Sequence, residues 1–318
     1  MILGKMQIQS GGGLSQNPLP VIHLNYMYNN TLYMSNDLGV SWTTKLLPGA
    51  YRWGSMASKN RGNLLAMATY SDSQMSFYSL NGGTTIQSDG QINNYGTNAK
   101  ISNNGQVFIF VTGLSNNGFR ISLNAGVNWQ TRLTNYNSQC AAIANNGNEI
   151  YLADYNNGLY KTINYGLSFV QLTNDKAFQV IASADGKHLY YKSHANKDRM
   201  YYSTDQGATF NYIKLSRIVN SASLCASDSG QYVMVIGGND CYLSNDYGAS
   251  YQDISGQLPN FYMNSNANQY ISPSGQYIVI PSYSGIRYEL FVSTNYGATF
   301  ISRNLPKSSG TPIGLTIS

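Results

Sequence analysis

Carboxylate side chains are the groups in this sequence best suited to acid–base chemistry, and they are few. The 318 residues include 14 Asp and Glu, and only Glu149 and Glu289 are glutamates. Glycoside hydrolysis normally requires two placed carboxyl groups. Asp72, Asp154 and Asp240 lie in loop-like segments and are further candidate acids, but no spacing pairs any two of them.

Basic and metal-binding side chains form an equally sparse pattern. His194 lies in the polar segment "SHANKDR", which is more typical of a solvated loop than of a catalytic base, whereas His23 and His188 lie in strand-like runs. No cluster of His, Cys and acids has metal-ligand spacing, so neither a metal site nor a cofactor is predicted. The three cysteines, Cys140, Cys225 and Cys241, lie in apolar runs and are expected to be reduced thiols.

Composition excludes several classes of protein. Charged residues make up 10% of the chain, and 27 Tyr supply aromatic material for a core, so disorder is not expected. The net charge of +5 comes from scattered residues without a basic stripe, which argues against nucleic-acid binding. No run approaches the ~20 apolar residues of a membrane span. The first residues, "MILGKMQIQSGGG", lack the apolar core of a signal peptide, so synthesis in a cytoplasm is expected.

A repeated motif spans almost the whole chain. It reads Ser or Thr, any residue, Asp or Asn, any residue, Gly, two further residues, and usually an aromatic. Its starting positions are separated by 44, 43, 40, 41, 41 and 49 residues, by subtraction. The seven copies are "SNDLGVSW" at 35–42, "SLNGGTTI" at 79–86, "SLNAGVNW" at 122–129, "TINYGLSF" at 162–169, "STDQGATF" at 203–210, "SNDYGASY" at 244–251 and "STNYGATF" at 293–300.

The context of each copy predicts four strands per repeat. An alternating run such as "LYKT" precedes the motif, another such as "SFVQL" follows it, and upstream runs meet at Gly-centred turns such as "IANNGNEIYLA". Four antiparallel strands, named A to D, in about 42 residues repeated seven times are typical of a seven-bladed β-propeller. We therefore expect residues 1–318 to form one all-β domain with the motif in each C–D hairpin.

The motif resembles the Asp-box, or BNR repeat. In that resemblance the acidic or amide residue caps the turn by accepting hydrogen bonds from backbone N–H groups two residues on, and the glycine permits positive φ. The closing aromatic is expected to bury against the turn. The residues with this structural role are Asp37, Asn81, Asn124, Asn164, Asp205, Asp246, Asn295, Gly39, Gly83, Gly126, Gly166, Gly207, Gly248 and Gly297.

Two segments, 5–10 and 311–318, are alternative candidates for strand A of blade one. The C-terminal stretch "TPIGLTIS", 311–318, resembles an A strand, while "PVIHLNYM" near the N-terminus resembles a B strand. Pairing these two segments would tie the ends of the chain together. The alternative uses "KMQIQS", 5–10, as the A strand of blade one. We favour closure by 311–318.

By analogy with propellers in general, a ligand is expected on the rim opposite the motif, where the D–A connections and B–C loops lie, or in the central channel. Aromatic rings beside amide side chains suit sugars, because a ring packs on the C–H face of a pyranose. The alternative is that these aromatics fill gaps between blades. The candidate binding residues are Tyr51, Arg52, Trp53, Tyr95, Tyr136, Phe178, Arg217, Tyr262 and Arg287.

The resemblance also raises an enzymatic alternative, because Asp-box propellers include sialidases and xyloglucan-cleaving glycoside hydrolases. Sialidases use a Tyr nucleophile assisted by Glu. Glu149 begins a B strand at the motif rim, which is the wrong end, and Glu289 begins a C strand. The N-terminal Arg-Ile-Pro signature of sialidases is absent. Photosystem-assembly propellers are similar in blade number, but the loops of this chain carry no sign of that partner.

These observations favour a non-catalytic propeller that recognises a glycan or a protein. The low charge and abundant Asn and Tyr suit a component of a virion or of another surface. The alternative is a sialidase-like or xyloglucanase-like glycoside hydrolase. The sequence does not define the oligomeric state.

Overall fold

The structure is a computed structural model. It describes residues 24–28, 30–47, 49, 53–69, 75–90, 96–112, 118–133, 138–219, 223–262, 269–283, 288–306 and 313–317. Within these ranges the chain forms seven antiparallel four-stranded sheets arranged as the blades of a β-propeller. The all-β, seven-bladed prediction is confirmed.

Each blade runs from an inner strand A through strands B and C to an outer strand D. In that order, blade one comprises Ile313–Ile317, Leu24–Tyr28, Thr31–Ser35 and Thr43–Leu46. Blade two comprises Trp53–Lys59, Leu64–Thr69, Phe77–Ser79 and Gln87–Ser88. Blade three comprises Gly96–Ile101, Phe108–Thr112, Gly118–Ser122 and Gln130–Leu133.

The remaining four blades follow the same order. Blade four comprises Ser138–Ala144, Glu149–Asp154, Gly158–Thr162 and Val170–Thr173. Blade five comprises Ala177–Ala182, Leu189–Ser193, Arg199–Ser203 and Asn211–Lys214. Blade six comprises Ser223–Ala226, Val233–Gly237, Asp240–Ser244 and Gln252–Asp253. Blade seven comprises Tyr270–Ile271, Ile278–Tyr283, Tyr288–Ser293 and Ile301–Asn304. Short 3-10 helices lie at Asn145–Gly147 and Ser255–Gln257.

The ring is closed by a strand from the far end of the chain. Strand A of blade one is Ile313–Ile317, which pairs antiparallel with Leu24–Tyr28. Each strand A contacts the A strands of both neighbouring blades, so the seven inner strands form a complete circle around the axis. The competing segment 5–10 lies outside the described residues.

Apolar side chains fill the spaces between blades. Among the described residues, seven clusters of buried side chains occur, and each takes its members from two neighbouring blades. Between blades two and three, for example, Tyr78 meets Phe108 and Phe110 on the facing sheet. Burying a side chain of this size contributes roughly 1.5–3 kcal/mol. Because strand B is covered on both faces, its sequence is a nearly continuous apolar run.

Every copy of the motif lies between strands C and D, where the chain reverses in a tight turn. The N–H of motif position six donates to the carbonyl of position three at 3.1–3.3 Å in all seven blades. The two central residues both have positive φ: 52–62° at position four and 79–88° at the glycine of position five. This is the type I′ geometry that suits the twist of a β-hairpin.

The side-chain hydrogen bonds of the hairpin differ from the predicted pattern in one respect. The Asp or Asn oxygen accepts from the N–H four residues on, at 2.8–3.0 Å, and not two residues on. The hydroxyl at position one accepts from the N–H of the glycine at 2.8–3.1 Å. The expected two-residue reach was wrong because the turn places that closer N–H against the Ser or Thr hydroxyl instead.

The exchange of Asp for Asn between copies follows from the partner at position seven. Asp205 accepts a hydrogen bond from the Thr209 hydroxyl at 2.6 Å. Asn295 instead donates its Nδ2 to the Thr299 hydroxyl at 2.9 Å. A hydroxyl can donate or accept, so it satisfies either side chain. Position seven is Ser or Thr in six copies, and the third copy has Asn128 there.

The motif glycine also allows the preceding blade to approach. A Cβ built on Gly126 would overlap the ring of Tyr78 in blade two, and one on Gly166 would overlap the ring of Phe119 in blade three. The closing side chain of the motif packs in the same interblade cluster, as Trp129 does against Phe110 at 5.0 Å between ring centroids. The aromatic therefore fills the space between blades. It also lies against its own turn, as expected, in the first copy, where the Trp42 ring is 3.3 Å from the position of a Cβ built on Gly39.

We predict that Gly126→Ala destabilises the protein by about 2–4 kcal/mol, from positive-φ strain and overpacking together. Tyr78 cannot move aside freely, because its hydroxyl donates to the Gly126 carbonyl at 2.7 Å. Gly90→Ala is the matched control: Gly90 has a φ of 73° but open space where its Cβ would stand. It should cost only about 1 kcal/mol in the free energy of unfolding by denaturant titration. Equal costs would contradict the close-approach argument.

We predict that Asp205→Asn is tolerated at neutral pH and that Asp205→Ala lowers the thermal midpoint. Hydrogen bonds from the side chain and backbone of Thr209 lower the pKa of Asp205 to about 2, from a usual 3.8. The stability from this carboxylate is therefore fully present above pH 4 and lost as the pH falls towards 2. Unfolding curves between about pH 2 and 6 should show this acid-sensitive contribution in the native chain but not in Asp205→Asn. Parallel pH profiles would contradict the assignment.

Candidate functional site

A cavity of about 200 Å³ runs along the propeller axis. Its described walls are formed by the A strands of blades two to seven and the turns that follow them. Most of the lining side chains are small or aliphatic, such as Ala57, Ala142 and Ile181. The polar groups that interrupt this apolar wall are therefore the groups that define its chemistry.

Amide and hydroxyl side chains join neighbouring A strands along the wall. Asn98 Oδ1 accepts from the Ala141 N–H at 3.3 Å, and Gln179 Oε1 accepts from the Leu224 N–H at 2.7 Å. Ser55 Oγ occupies the corresponding place between blades two and three, accepting from the Ala99 N–H at 3.3 Å. These side chains line the channel but are already engaged as scaffold.

Charged side chains from opposite sides of the ring meet at the motif-rim end of the channel. Lys59 of blade two lies 3.9 Å from the carboxylate of Asp228 in blade six. Asn103 of blade three donates to the second carboxylate oxygen of Asp228 at 3.3 Å. We call this three-residue contact the cross-channel bridge. It links blades separated by at least two others, which no strand pairing does.

The backbone of Asp228 is fixed by the neighbouring A–B turns. Its N–H donates to the Pro273 carbonyl and its own carbonyl accepts from the Ala184 N–H. Burial lowers the pKa of Lys59, the Asp228 carboxylate opposes that shift, and the nearby Lys100 ammonium adds to it. The bridge thus partly offsets the cost of placing an ammonium group in the channel.

Several predicted binding residues lie outside the described residues. These are Tyr51, Arg52, Tyr95, Tyr136 and Arg287. Trp53 is described through its backbone alone, as the first residue of strand A in blade two. The rim prediction for these six residues stays a prediction.

Phe178 and Tyr262 occupy different environments. Phe178 lies within strand A of blade five, at an irregularity in its pairing with strand B, and is half-buried. It was expected in the D–A connection, but the strand begins earlier, at Ala177. Tyr262 does lie in a D–A connection, with 48% of its surface exposed. Its neighbour Phe261 is buried between blades six and seven, which anchors the exposed ring.

Arg217 also lies in a D–A connection, and it is paired. Its guanidinium lies 2.7 Å from Asp240 and 3.6 Å from Asp253, at the ends of two blade-six strands. The Arg217 side chain is 58% exposed. It can therefore contact a ligand, but only beside carboxylates that already satisfy part of its charge.

The candidate acids are engaged in local interactions. Glu149 accepts from the Tyr151 hydroxyl at 2.6 Å and lies 3.2 Å from Lys161. Glu289, in strand C of blade seven, accepts from the Ser302 hydroxyl at 2.9 Å. Asp154 is fully buried, and its Oδ1 caps the B–C turn by accepting two backbone N–H groups at 2.7 Å. Asp72 lies outside the described residues.

A polar cluster on the opposite rim joins blades four and five. His194 is half-buried and not in a freely solvated loop, because its Nε2 lies 2.5 Å from the Tyr155 hydroxyl. Nearby, Lys192 donates to the carbonyls of Lys197 and Arg199. Burial lowers the pKa of Lys192 to about 8, and Asp198 opposes that shift. The contacts of Lys192 hold its B–C loop in place.

The channel residues Lys59, Lys100, Asn103 and Asp228 were missed by sequence reasoning. A signal for two of them existed: "SMASK" and "NAKI" place a lysine in A strands that are otherwise built from small and apolar residues. The meeting of Lys59 with Asp228 had no local signal, because 169 positions separate them, by subtraction.

Neither a membrane-spanning helix nor a metal cluster occurs in the part of the chain that the structure describes. No helix in that part has the length and apolar character needed to cross a bilayer. No group of three or more His, Cys, Asp or Glu side chains in the same ranges is arranged to hold a metal ion.

The fold and the axial channel define the class: a seven-bladed β-propeller. No protein-family model matches the sequence. No curated protein matches it either. Similarity is therefore found with solved structures, at identities that establish the fold alone.

Three of these structures are propellers from different settings. The GH74 xyloglucanase of Xanthomonas campestris superposes with a TM-score of 0.63 and 12% identity over 80% of this chain, which spans 45% of the xyloglucanase. YCF48 bound to D1 peptide gives a TM-score of 0.57 and 16% identity, covering 94% of this chain and 99% of that one. The Cps50 (Swd1) propeller domain of Myceliophteria thermophila gives 0.61 and 11%, covering 83% and 89%.

We predict that the cross-channel bridge contributes a coupling energy of about 0.5–1 kcal/mol, the range for a partly exposed pair. The Lys59 and Asp228 side chains are 21% and 41% exposed. Asp228→Asn should lower the free energy of unfolding more in the native chain than in the Lys59→Met variant, because that variant has no ammonium group at position 59 to pair with Asp228. Denaturant titration of the four proteins measures this difference. Additive effects of the two substitutions would rule the pair out.

Proposed function

We propose that this propeller is a non-catalytic recognition module that binds a protein or glycan partner through the rim opposite the C–D hairpins. The observation that carries the proposal is the state of the acids. Asp228 is the single carboxylate among the described channel-lining residues, and it is paired with Lys59. Glycosidic cleavage with two carboxyl groups requires them roughly 5–10 Å apart around the substrate.

The two rims are unequally free to bind. At the hairpin rim, the Asp and Asn side chains and the hydroxyls of each motif are used in turn hydrogen bonds. At the opposite rim, Tyr262 exposes about half of its surface and Arg217 more than half of its side chain. Tyr and Arg, with Trp, are enriched among the residues that anchor protein interfaces, and a Tyr ring can also pack on a sugar.

We infer that the seven motifs are Asp-boxes. The inference is supported by the same hydroxyl-to-glycine and carboxylate-to-N–H bonds in every blade. Among proteins of similar fold, one is described as bound to a peptide and another as a xyloglucanase. A shared fold does not imply that this chain has either function, so the function is argued from the residues of its own site. Association with a virion or another surface stays a prediction from composition.

The test combines binding with catalysis on the purified chain. A glycan array and cross-linking to candidate proteins measure binding, while release of reducing ends from xyloglucan and of free acid from a sialoside measures hydrolysis. We expect binding without turnover. Tyr262→Ala should weaken binding about tenfold or more if the ring is an anchor.

Lys187→Ala is the matched control for Tyr262→Ala, because Lys187 is exposed at the hairpin rim. It should bind as the native chain does. Hydrolysis of either substrate would overturn the non-catalytic proposal in favour of the glycoside hydrolase. Binding that is lost in Lys187→Ala and retained in Tyr262→Ala would place the interface on the hairpin rim and contradict the proposed binding surface.

A further inference from the structure

The axial channel carries positive charge that its described residues do not balance. Lys59 and Lys100, from neighbouring blades, both line it. Asp228 is the one carboxylate among the described lining residues, and its two oxygens are taken by Lys59 and Asn103. One ammonium group therefore remains in excess.

Lys100 supplies that excess charge. It is half-buried, and it has no hydrogen bond or ion pair with any residue in the described ranges. Its positive charge affects the pKa of thiols in two other blades. Burial raises the thiol pKa of Cys140 in blade four and of Cys225 in blade six, and in both cases the Lys100 charge opposes that rise. Lys100 lines the same cavity as Lys59 of blade two, Ala142 of blade four and Cys225 of blade six.

An unpaired ammonium in a confined channel is unfavourable, and a second one nearby increases the cost. The cavity of about 200 Å³ is large enough for a small molecule with its water.

We propose that the channel is a binding site for a small oxyanion, a carboxylate or a phosphate group, held by Lys100 with Lys59 as the second cation. A bound anion neutralises the excess ammonium of Lys100, which is separate from the bridge between Lys59 and Asp228. The site is lined by A strands and the turns that follow them, and its lining does not include the rim residues Arg217 and Tyr262. It is thus additional to partner recognition at the rim.

The test measures the thermal midpoint of the full chain against inorganic phosphate and, separately, against acetate, with ionic strength held constant by KCl. We expect saturable stabilisation by at least one of the two anions. Lys100→Met should weaken the apparent affinity about tenfold or more, as expected for loss of a charge-assisted contact. Stabilisation by phosphate alone assigns a phosphate site, and stabilisation by acetate alone assigns a carboxylate site.

Lys187→Met is the matched control, because it removes an exposed lysine of the hairpin rim. It should respond as the native chain does. Saturation by neither anion, or an unchanged response in Lys100→Met, would overturn the proposal. Should Lys100→Met fail to fold, Lys100→Gln replaces it, since it removes the charge but leaves a polar side chain in the channel.

Discussion

Close approach between neighbouring blades is the constraint on which the rest of this propeller depends. A single four-stranded sheet leaves two apolar faces exposed, and only a neighbour on each side can cover them. The hairpin glycines permit that approach, since a Cβ at Gly126 or Gly166 would enter an aromatic ring of the preceding blade. The positive φ at the same glycines sets the turn that carries the closing aromatic into the gap. One residue type thus meets a conformational and a steric requirement at once.

The fold could be predicted because the repeat records this constraint seven times in local sequence. Spacing, Gly-centred turns and strand runs together define blade number and strand order. Which backbone N–H donates to the Asp or Asn oxygen could not be predicted from the repeat. It depends on two consecutive residues with positive φ, and in six of the seven copies the first of them, such as Gln206 or Tyr247, is not glycine. The Asp-box resemblance therefore predicted a turn cap, but not which N–H it binds.

The site was less predictable, for a physical reason. Rim residues lie in connections whose course is set by the blades on either side, so Phe178 was assigned to a loop although it belongs to a strand. The channel chemistry comes from single residues of strands far apart in sequence. Lys59 and Asp228 meet only because the ring brings blades two and six to face each other. A repeat motif carries no information about such pairs, because they occur once.

Strand A of blade one is synthesised after the strands of all the other blades, which affects folding during translation. Leu24 pairs with Ile317, so nearly the whole chain separates the two partners. While a ribosome is still adding residues, strand B of blade one has an open edge, and such edges invite pairing with other chains. Contacts of such long sequence separation also slow folding. Blade one is therefore the last blade whose four strands are all synthesised, and its strand B keeps an open edge until then.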